Sequence, residues 1–484
     1  MRNLLALAVA CLVWPSILSC TADQPSLAMG DDQHSIIIKL VSTTQCESPA
    51  VRLLNIDTGD ESYIRMHDHQ AYVDPLASHA YARHAYYFKA AIVQGDRYEW
   101  SFNSSNYVGP YEFRIRDLSK KIGPRFIQIG DMEYSERSSE TFKALIGMKW
   151  SEYDGLIHAG DYAYDIHNDN CMRGDRYFNA LDKVLSVTPC MFILGNHENY
   201  DNGKLFNYRF RMPGYTAKWE NNFYSQIRGN VFFLYVNYDY YLTFDRNSLP
   251  EVISYLNIEL EKSKSPDIKW RVVVTHRPIF CGQFGRSDCT VLYYYLKPFD
   301  QLYRKHKIDL LISGHEHFYE RLKLMDDRFN IVNNYQHITS MHASIISSPH
   351  PLQITNGMAG NFELVDPALQ VAAFTSSSVA WIQAYADIQF TRDAIVYQIK
   401  AARDGVVMDE TVIKKDQIVG YDWTVLIIVV GVLIGVALAV VVVLVVVYKS
   451  IRAFKKPRIP ELNIRDLDTA EAELGFKVQM EPQV

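Results

Sequence analysis

The 484-residue chain is ordinary in composition, 48% hydrophobic and 21% charged, and its length accommodates two ordered domains with appendages. Lys and Arg total 49 against 55 Asp and Glu, a formal net charge of -6. No basic run marks the body, which excludes nucleic-acid backbone as the main partner.

At the start, Arg2 precedes an apolar run from Leu4 to Val13, and Cys20-Thr21-Ala22 offers small residues for cleavage. This predicts a signal peptide over residues 1–22. Ile17-Leu18-Ser19-Cys20 also fits a bacterial lipidation box, which a second anchor at the other end would make redundant. Segments 35–40 and 85–90, rich in β-formers, and the alternating 111–115 predict a β-sandwich over residues 35–118. Its histidines, His67, His69, His79 and His84, lack ligand spacing and read as surface residues. Asn103-Ser104-Ser105 is a glycosylation sequon.

After Lys120-Lys121-Ile122-Gly123-Pro124 the texture changes to apolar strands alternating with helical stretches. This predicts a layered α/β domain over residues 122–414. Strands are expected at 126–129, 155–159, 191–194, 271–274 and 309–312. Amphipathic helices are expected at 176–185 and 251–262, the second opened by a Ser248–Glu251 capping box.

Residues 425–447 are uninterrupted by charge and would span about 34 Å as a helix, enough to cross a bilayer. Trp423 and Tyr448 flank the run, and Lys449, Arg452, Lys455, Lys456 and Arg458 follow it. The expectation is a single-pass helix over 424–447, a cytosolic tail over 448–484 and an extracellular or lumenal ectodomain. Plasma membrane and lysosomal or endosomal membrane both fit. In such an oxidising compartment the body holds five cysteines, an odd number. Cys281 with Cys289 is the first choice of disulfide and Cys171 with Cys190 the second, leaving Cys46 free.

Each of the five α/β strands runs into residues that suit a metal ion. They are Gly130-Asp131, Gly160-Asp161-Tyr162-Ala163-Tyr164, Gly195-Asn196-His197-Glu198, Thr275-His276 and Ser313-Gly314-His315-Glu316-His317. Ligand sites in α/β folds lie beyond the carboxyl ends of strands, so these residues should converge in one crevice. One Gly-Asp turn would be unremarkable; five such endings in one chain are not.

The ordered set resembles the purple acid phosphatases of the metallophosphoesterase superfamily. That family's pattern is Asp-x-Gly, Gly-Asp-x-x-Tyr, Gly-Asn-His-Asp/Glu, Val-x-x-His and Gly-His-x-His. Here it reads Asp131-Met132-Glu133, Gly160-Asp161-Tyr162-Ala163-Tyr164, Gly195-Asn196-His197-Glu198, Val273-Val274-Thr275-His276 and Gly314-His315-Glu316-His317. Arg209-Phe210-Arg211-Met212-Pro213, His276-Arg277-Pro278 and Tyr319-Glu320-Arg321 match as well, and the sandwich resembles the family's fibronectin-type domain.

The resemblance implies a ferric ion held by Asp131, Asp161, Tyr164 and His317. It implies a second, divalent ion (Zn, Fe or Mn) held by Asp161, Asn196, His276 and His315. A phenolate suits a trivalent ion, whereas imidazole and amide oxygen suit a divalent one. The implied activity is acid phosphatase hydrolysis of small phosphate monoesters by a metal-bridged hydroxide, with His197 binding substrate and protonating the leaving group. His158 is implied to support the ligands from behind. Glu133 departs from the family glycine and is expected to crowd the site, repel phosphate or offer an unplanned ligand; Phe318 is expected to reshape the rim. The alternatives are a phosphodiesterase or nucleotide hydrolase on the same centre, or a weakly catalytic metal-binding surface protein.

Overall fold

Alternation of inward and outward residues folds the N-terminal part into two four-stranded antiparallel sheets. The computed structural model describes residues 20–75, 81–102, 104, 106–118, 123–282, 287–332, 336–338, 341–346, 350–361, 375–379, 382–415 and 438–450. One sheet orders the strands Ala22–Met29, Ser35–Ser42, Ala82–Ala91 and Asp68–Val73; the other orders Glu61–Arg65, Ala50–Asn55, Arg97–Phe102 and Val108–Arg114. Phe88 of the first meets Phe102 of the second, ring centroids 6.1 Å apart.

The first strand starts before the expected boundary at Ser35, and Cys20 just ahead of it forms a disulfide with Cys46. Cys46 is therefore not free. A leader running to Ala22 would carry Cys20 away, and with it this disulfide. With its sulfur in a disulfide, Cys20 has no thiol for a lipid. Cys171 and Cys190, the second expected pair, are both free and buried. The Cys171 thiol donates to Asp74 at 3.2 Å and that of Cys190 to the Thr188 carbonyl at 3.4 Å. Cys281 is disulfide-bonded, while the side chain of Cys289 and the sequon residue Asn103 lie outside the described residues.

Two larger sheets follow. The eight-stranded one runs Cys190–Phe192, Gly155–His158, Arg125–Ile129, Ala384–Phe390, Ala394–Ala401, Val407–Lys414, His342–Ile346 and Gln336–Ile338. The seven-stranded one runs Phe223–Arg228, Val231–Val236, Trp270–Thr275, Leu310–Ser313, Leu352–Asn356, Tyr319–Leu322 and Thr375–Val379. The strands that lead to the expected site are parallel to their neighbours: 125–129 with 155–158 and 190–192, and 270–275 with 310–313. Both faces of the second sheet are buried, which is why its strands read as unbroken apolar runs. Phe233, Tyr235, Val272 and Val274 face the first sheet's core, whereas Phe232, Leu234, Val236 and Val273 face a second cluster with the helices Leu249–Glu261 and Ser287–Lys305.

The helices differ in detail from expectation. The first breaks at Leu181 into Met172–Ala180 and Asp182–Leu185. Ser248 does stand at the N-cap of Leu249–Glu261, but no capping box forms. Its hydroxyl donates to the Asp245 carbonyl at 2.6 Å, and Glu251 pairs with Lys218.

The sandwich docks on the α/β body through buried polar groups. Arg209 donates to Gln24 Oε1 at 2.6 Å and to the Tyr81 hydroxyl at 2.7 Å, and pairs with Asp175 at 2.8 Å. Arg211 pairs with Asp68 at 2.8 Å and stacks over Tyr87 and Tyr215. The Arg209-to-Pro213 motif is thus the joint between the two parts.

Lys39 sits in this joint, 3% exposed, its ammonium 5.0 Å from the Phe210 ring centroid. Burial, with the Arg209 charge beside it, lowers Lys39 from 10.5 to about 7. Between these values the unfolded chain holds a proton that the folded one has released, so stability rises with pH across that window. Below it the full penalty applies, on the order of 5 kcal/mol. Lys39→Met is expected to raise Tm at about pH 6, with the gap to wild type closing by about pH 10. A gap that does not change with pH would refute this origin.

The chain divides into units 1–416 and 417–484. In the second, only residues 438–450 are described, as an exposed helix. The expected span over 424–447 lies largely outside the described residues, among which no helix is long and apolar enough to cross a membrane.

Candidate metal centre

The first large sheet delivers Asp131, Asp161 and Asn196 just past three neighbouring strands, and the second delivers His276, His315 and His317 past two. The sharp bends fall on the functional residues themselves. Asp131 (φ 63), Asp161 (φ 57), Tyr164 (φ 46) and His315 (φ 71) all adopt left-handed backbone. Each such residue costs on the order of 1–3 kcal/mol, a strain that persists where surrounding structure enforces it and that clusters at functional sites. Of the glycines that precede them, Gly160 bends with φ 93, while Gly195 and Gly314 allow close approach. A Cβ on Gly195 would lie 2.1 Å from Asp161 Oδ1, and one on Gly314 would lie 2.5 Å from Asp131 Oδ2.

All seven expected ligands come together, in two groups. The Tyr164 hydroxyl lies 3.1 Å from Asp131 Oδ1 and 2.8 Å from His317 Nε2, and those two atoms are 3.6 Å apart. In the second group, His276 Nε2 is 3.2 Å from Asp161 Oδ2 and 3.1 Å from Asn196 Oδ1. Asp161, His276 and His315 each offer one ligand atom, all within 4.8 Å of one another. Asp131, Asp161, Tyr164, His276 and His317 are buried.

This arrangement fits metal ions. Ligand atoms about 2.1 Å from one ion at right angles stand about 3 Å apart, which is the spacing of both groups. His276 Nδ1 donates to the Ala159 carbonyl at 2.7 Å, which turns Nε2 toward the cluster, the orientation of a metal-binding imidazole. The electrostatics ask for a cation. Burial opposes charge on Asp161, yet His276, His197 and His315 hold its carboxyl well below the usual range. Burial likewise disfavours a charged His276, but Asp161 lifts it to about 10. A cluster that draws a proton onto a buried imidazole is one short of positive charge.

His197 lies beside this cluster. Its backbone N–H donates to Asp161 Oδ1 at 3.1 Å, and its Nδ1 is 2.7 Å from Asp165 Oδ1. Burial works against its charge, but the Asp165 hydrogen bond and the Asp161, Asp165 and Glu198 charges outweigh it and raise His197 to about 9. Glu198 clasps the loops together: its carboxylate accepts the backbone N–H groups of Asp161, Tyr162 and Gly195, each at 2.9 Å. His158 is buried against Tyr162 and bonded to the Tyr177 hydroxyl at 2.8 Å, and burial lowers it to about 3, so it is neutral. It supports the loop that carries Asp161 and holds none of the seven ligand atoms.

Two expectations change. Glu133 does not stand bare in the site: it is buried, with Oε1 3.4 Å from Arg173 Nη2, and Oε2 makes no hydrogen bond among the described residues. Arg173 in turn donates to the Ala163 carbonyl at 2.6 Å. Phe318 is fully buried and forms no part of the rim. His69 Nε2 approaches His84 Nδ1 to 3.2 Å on the sandwich, away from the seven ligands, and His79 lies outside the described residues.

Two residues given no role by the sequence join the cluster: Arg277, quoted only within the matching His276-Arg277-Pro278 stretch, and Asp239, which no motif contained. Arg277 Nη1 is 2.9 Å from His315 Nε2, and its Nε donates to both oxygens of buried Asp239 at 3.0 and 3.1 Å. Asp239 follows the strand Val231–Val236 as the ligands follow theirs, and the unbroken apolar run before Asn237 was the available signal.

Residues 124–319 match the family described as calcineurin-like phosphoesterase. The chain is 27% identical over 325 residues to acid phosphatase type 7 of Danio rerio, covering 63% of this chain and 71% of the relative. With acid phosphatase type 7 of Mus musculus it is 29% identical over 274 residues, 53% of this chain and 59% of the relative. The chain thus spans less than two thirds of the mouse protein's own length. With the Fe(3+)-Zn(2+) purple acid phosphatase 12 of Arabidopsis thaliana it is 23% identical, covering 58% of this chain and 61% of the relative. The structure of a purple acid phosphatase from yellow lupin seeds superposes with a TM-score of 0.64 at 17% identity, covering 82% of this chain and 75% of the lupin chain. That likeness is one of fold. Residues 124–319 thus carry a calcineurin-like phosphoesterase domain, in a chain similar to acid phosphatases type 7 and to purple acid phosphatases.

Proposed function

We propose that the chain hydrolyses small phosphate monoesters at a binuclear centre, with its ectodomain anchored outside the cytosol. Asp131, Asp161, Tyr164 and His317 would hold a ferric ion, and Asp161, Asn196, His276 and His315 a divalent one. The observation that carries this reading is the convergence of seven side chains from two sheets, with donor atoms 2.8–3.6 Å apart around Tyr164 and 3.1–3.2 Å apart around His276. The Arabidopsis relative named for iron and zinc supports the choice of metals. When bound, the ions supply Lewis-acid polarisation of phosphoryl oxygens and a lowered pKa for water.

The chain's own groups do the rest. Glu198 and the backbone of Gly195 and Asp161 hold the loops in one geometry before substrate arrives, so little reorganisation is needed during reaction. Asp165 fixes the His197 ring through Nδ1, which leaves Nε2, 3.8 Å from Asp161 Oδ2, on the cluster side. From there His197 can donate a proton to the leaving oxygen.

The test is metal content and the visible spectrum of the purified protein, beside Tyr164→Phe. The expected result is iron plus a divalent metal in wild type, with a visible charge-transfer band absent from the variant. Two non-iron metals and no band would keep the hydrolase and remove the ferric-tyrosinate assignment; a protein that takes up no metal would end the catalytic reading.

A further inference from the structure

Two loops of the α/β body meet at the His197–Asp165 pair, and both are tied to one carboxylate of the sandwich. Asp74 directly follows the strand Asp68–Val73 and is buried. Its Oδ1 accepts the Tyr200 hydroxyl at 2.7 Å, and its Oδ2 accepts the Cys171 thiol at 3.2 Å. Tyr200 lies on the loop of His197. Cys171 closes the turn that begins at Asp165, where the Asn168 N–H bonds the Asp165 carbonyl at 3.1 Å and the Cys171 N–H the His167 carbonyl at 2.9 Å. The His167 and Tyr200 rings stack between the two loops, centroids 4.4 Å apart and 5° from parallel.

The backbone shows why such a tie is needed. Asp201 (φ 50), Asn202 (φ 53) and Gly203 (φ 76) follow Tyr200 in left-handed conformation, and Asp169 (φ 53), Asn170 (φ 55) and Cys171 (φ 66) do the same on the other loop. Runs of this kind in non-glycine residues are strained and persist only where surrounding structure holds them. Asp74 holds one run at Cys171 itself and the other through Tyr200, and the Tyr72 hydroxyl of the adjoining strand adds a contact to Asp201 Oδ2 at 3.4 Å. Burial and the Asp74 hydrogen bond push the Cys171 thiol up to about 12, so it remains a donor. Glu198 fixes these loops where the metal ligands leave the strands, and Asp74 fixes them further along the chain.

We propose that Asp74 is a positioning residue for proton delivery: through Tyr200 and Cys171 it sets how Asp165 meets His197, and so the aim of His197 Nε2 at the leaving oxygen. The sandwich thereby takes part in the reaction through positioning. The proposal rests on the functional reading above, in which His197 is the proton donor. A ring that must place a proton on one oxygen tolerates little displacement, and an error of about 1 Å can cost ~100-fold.

The test is kcat on an alkyl phosphate and on an activated aryl phosphate for Tyr200→Phe, which deletes one hydroxyl and keeps the ring, with metal content measured on the same samples. The alkyl rate is expected to fall ~10- to 100-fold, the aryl rate far less, with both metals retained. Asp74→Asn, whose amide oxygen replaces only one of the two acceptors, is expected to shift the same ratio. In a His197→Ala background Tyr200→Phe is expected to cause no further fall, because a residue that acts through His197 has nothing left to position. A crystal structure of Tyr200→Phe is expected to show the His197 ring released from Asp165. An unchanged alkyl rate, an equal fall on both substrates, a full loss in the His197→Ala background, or an unmoved His197–Asp165 pair overturns the proposal. A wild type inactive on every phosphate ester would instead overturn the hydrolase reading, and the variant's His197–Asp165 geometry would still decide whether Asp74 sets it.

Discussion

Asp161→Asn is expected to lower kcat at least ~1,000-fold and to cost the protein its metal ions, as measured by initial rates and elemental analysis of the same preparation. Asp161 is 1% exposed and its Oδ2 lies 3.2 Å from His276 Nε2, while Oδ1 accepts the His197 backbone N–H. An amide in its place keeps the volume and one acceptor but removes the charge that holds His276 protonated and that would hold cations in its place. The Lewis-acid contribution of bound ions is several kcal/mol, and each 1.36 kcal/mol is tenfold in rate. A variant that retains both ions and wild-type kcat would refute the placement of the centre.

His197→Ala carries the second large expectation, a fall in kcat of ~100- to 10,000-fold on alkyl phosphates. The reason is the Asp165–His197 pair at 2.7 Å, which fixes one ring nitrogen and presents the other to the cluster. An alkoxide leaves poorly without a proton, whereas an electron-poor phenolate leaves unaided. Activity on an activated aryl phosphate should therefore fall far less, with KM changed little in either case. An equal loss on both substrate types would show that His197 binds substrate without supplying a proton.

Most of the site was legible because of one physical circumstance. Strands buried on both faces must be apolar throughout, so the first polar residue after each run announces the strand's end. In a parallel sheet, neighbouring strand ends lie on one edge. That logic located Asp131, Asp161, Asn196, His276 and His315 from residue order alone, and the structure brings them together. It also explains the misses. Val231–Val236 is as apolar as the others, but it ends in Asn237 and Asp239, which match no ligand pattern, so the Arg277 anchor went unread. Disulfide pairing depends on which strands become neighbours in space, and Cys20 meets Cys46 at the open end of the strand pair in which Ala22 lies opposite Ser42. At Gly195 and Gly314 what matters is the space a Cβ would take, which depends on Asp161 and Asp131 arriving from distant strands and so cannot be read locally.

The joint between the sandwich and the α/β body has a consequence for how this protein can be divided. Arg209 is fully buried, yet its partner Gln24 belongs to the first strand and Tyr81 to the edge of the third, so neither side completes its polar contacts alone. Trp100 of the sandwich likewise donates to the Ser186 carbonyl of the body at 2.9 Å. Cutting the chain between the two parts would bare an arginine, an aspartate and a lysine that are buried together in this seam. The N-terminal sheets are thus not a bead that can be unstrung or exchanged for another; they and the α/β body complete each other's buried polar contacts.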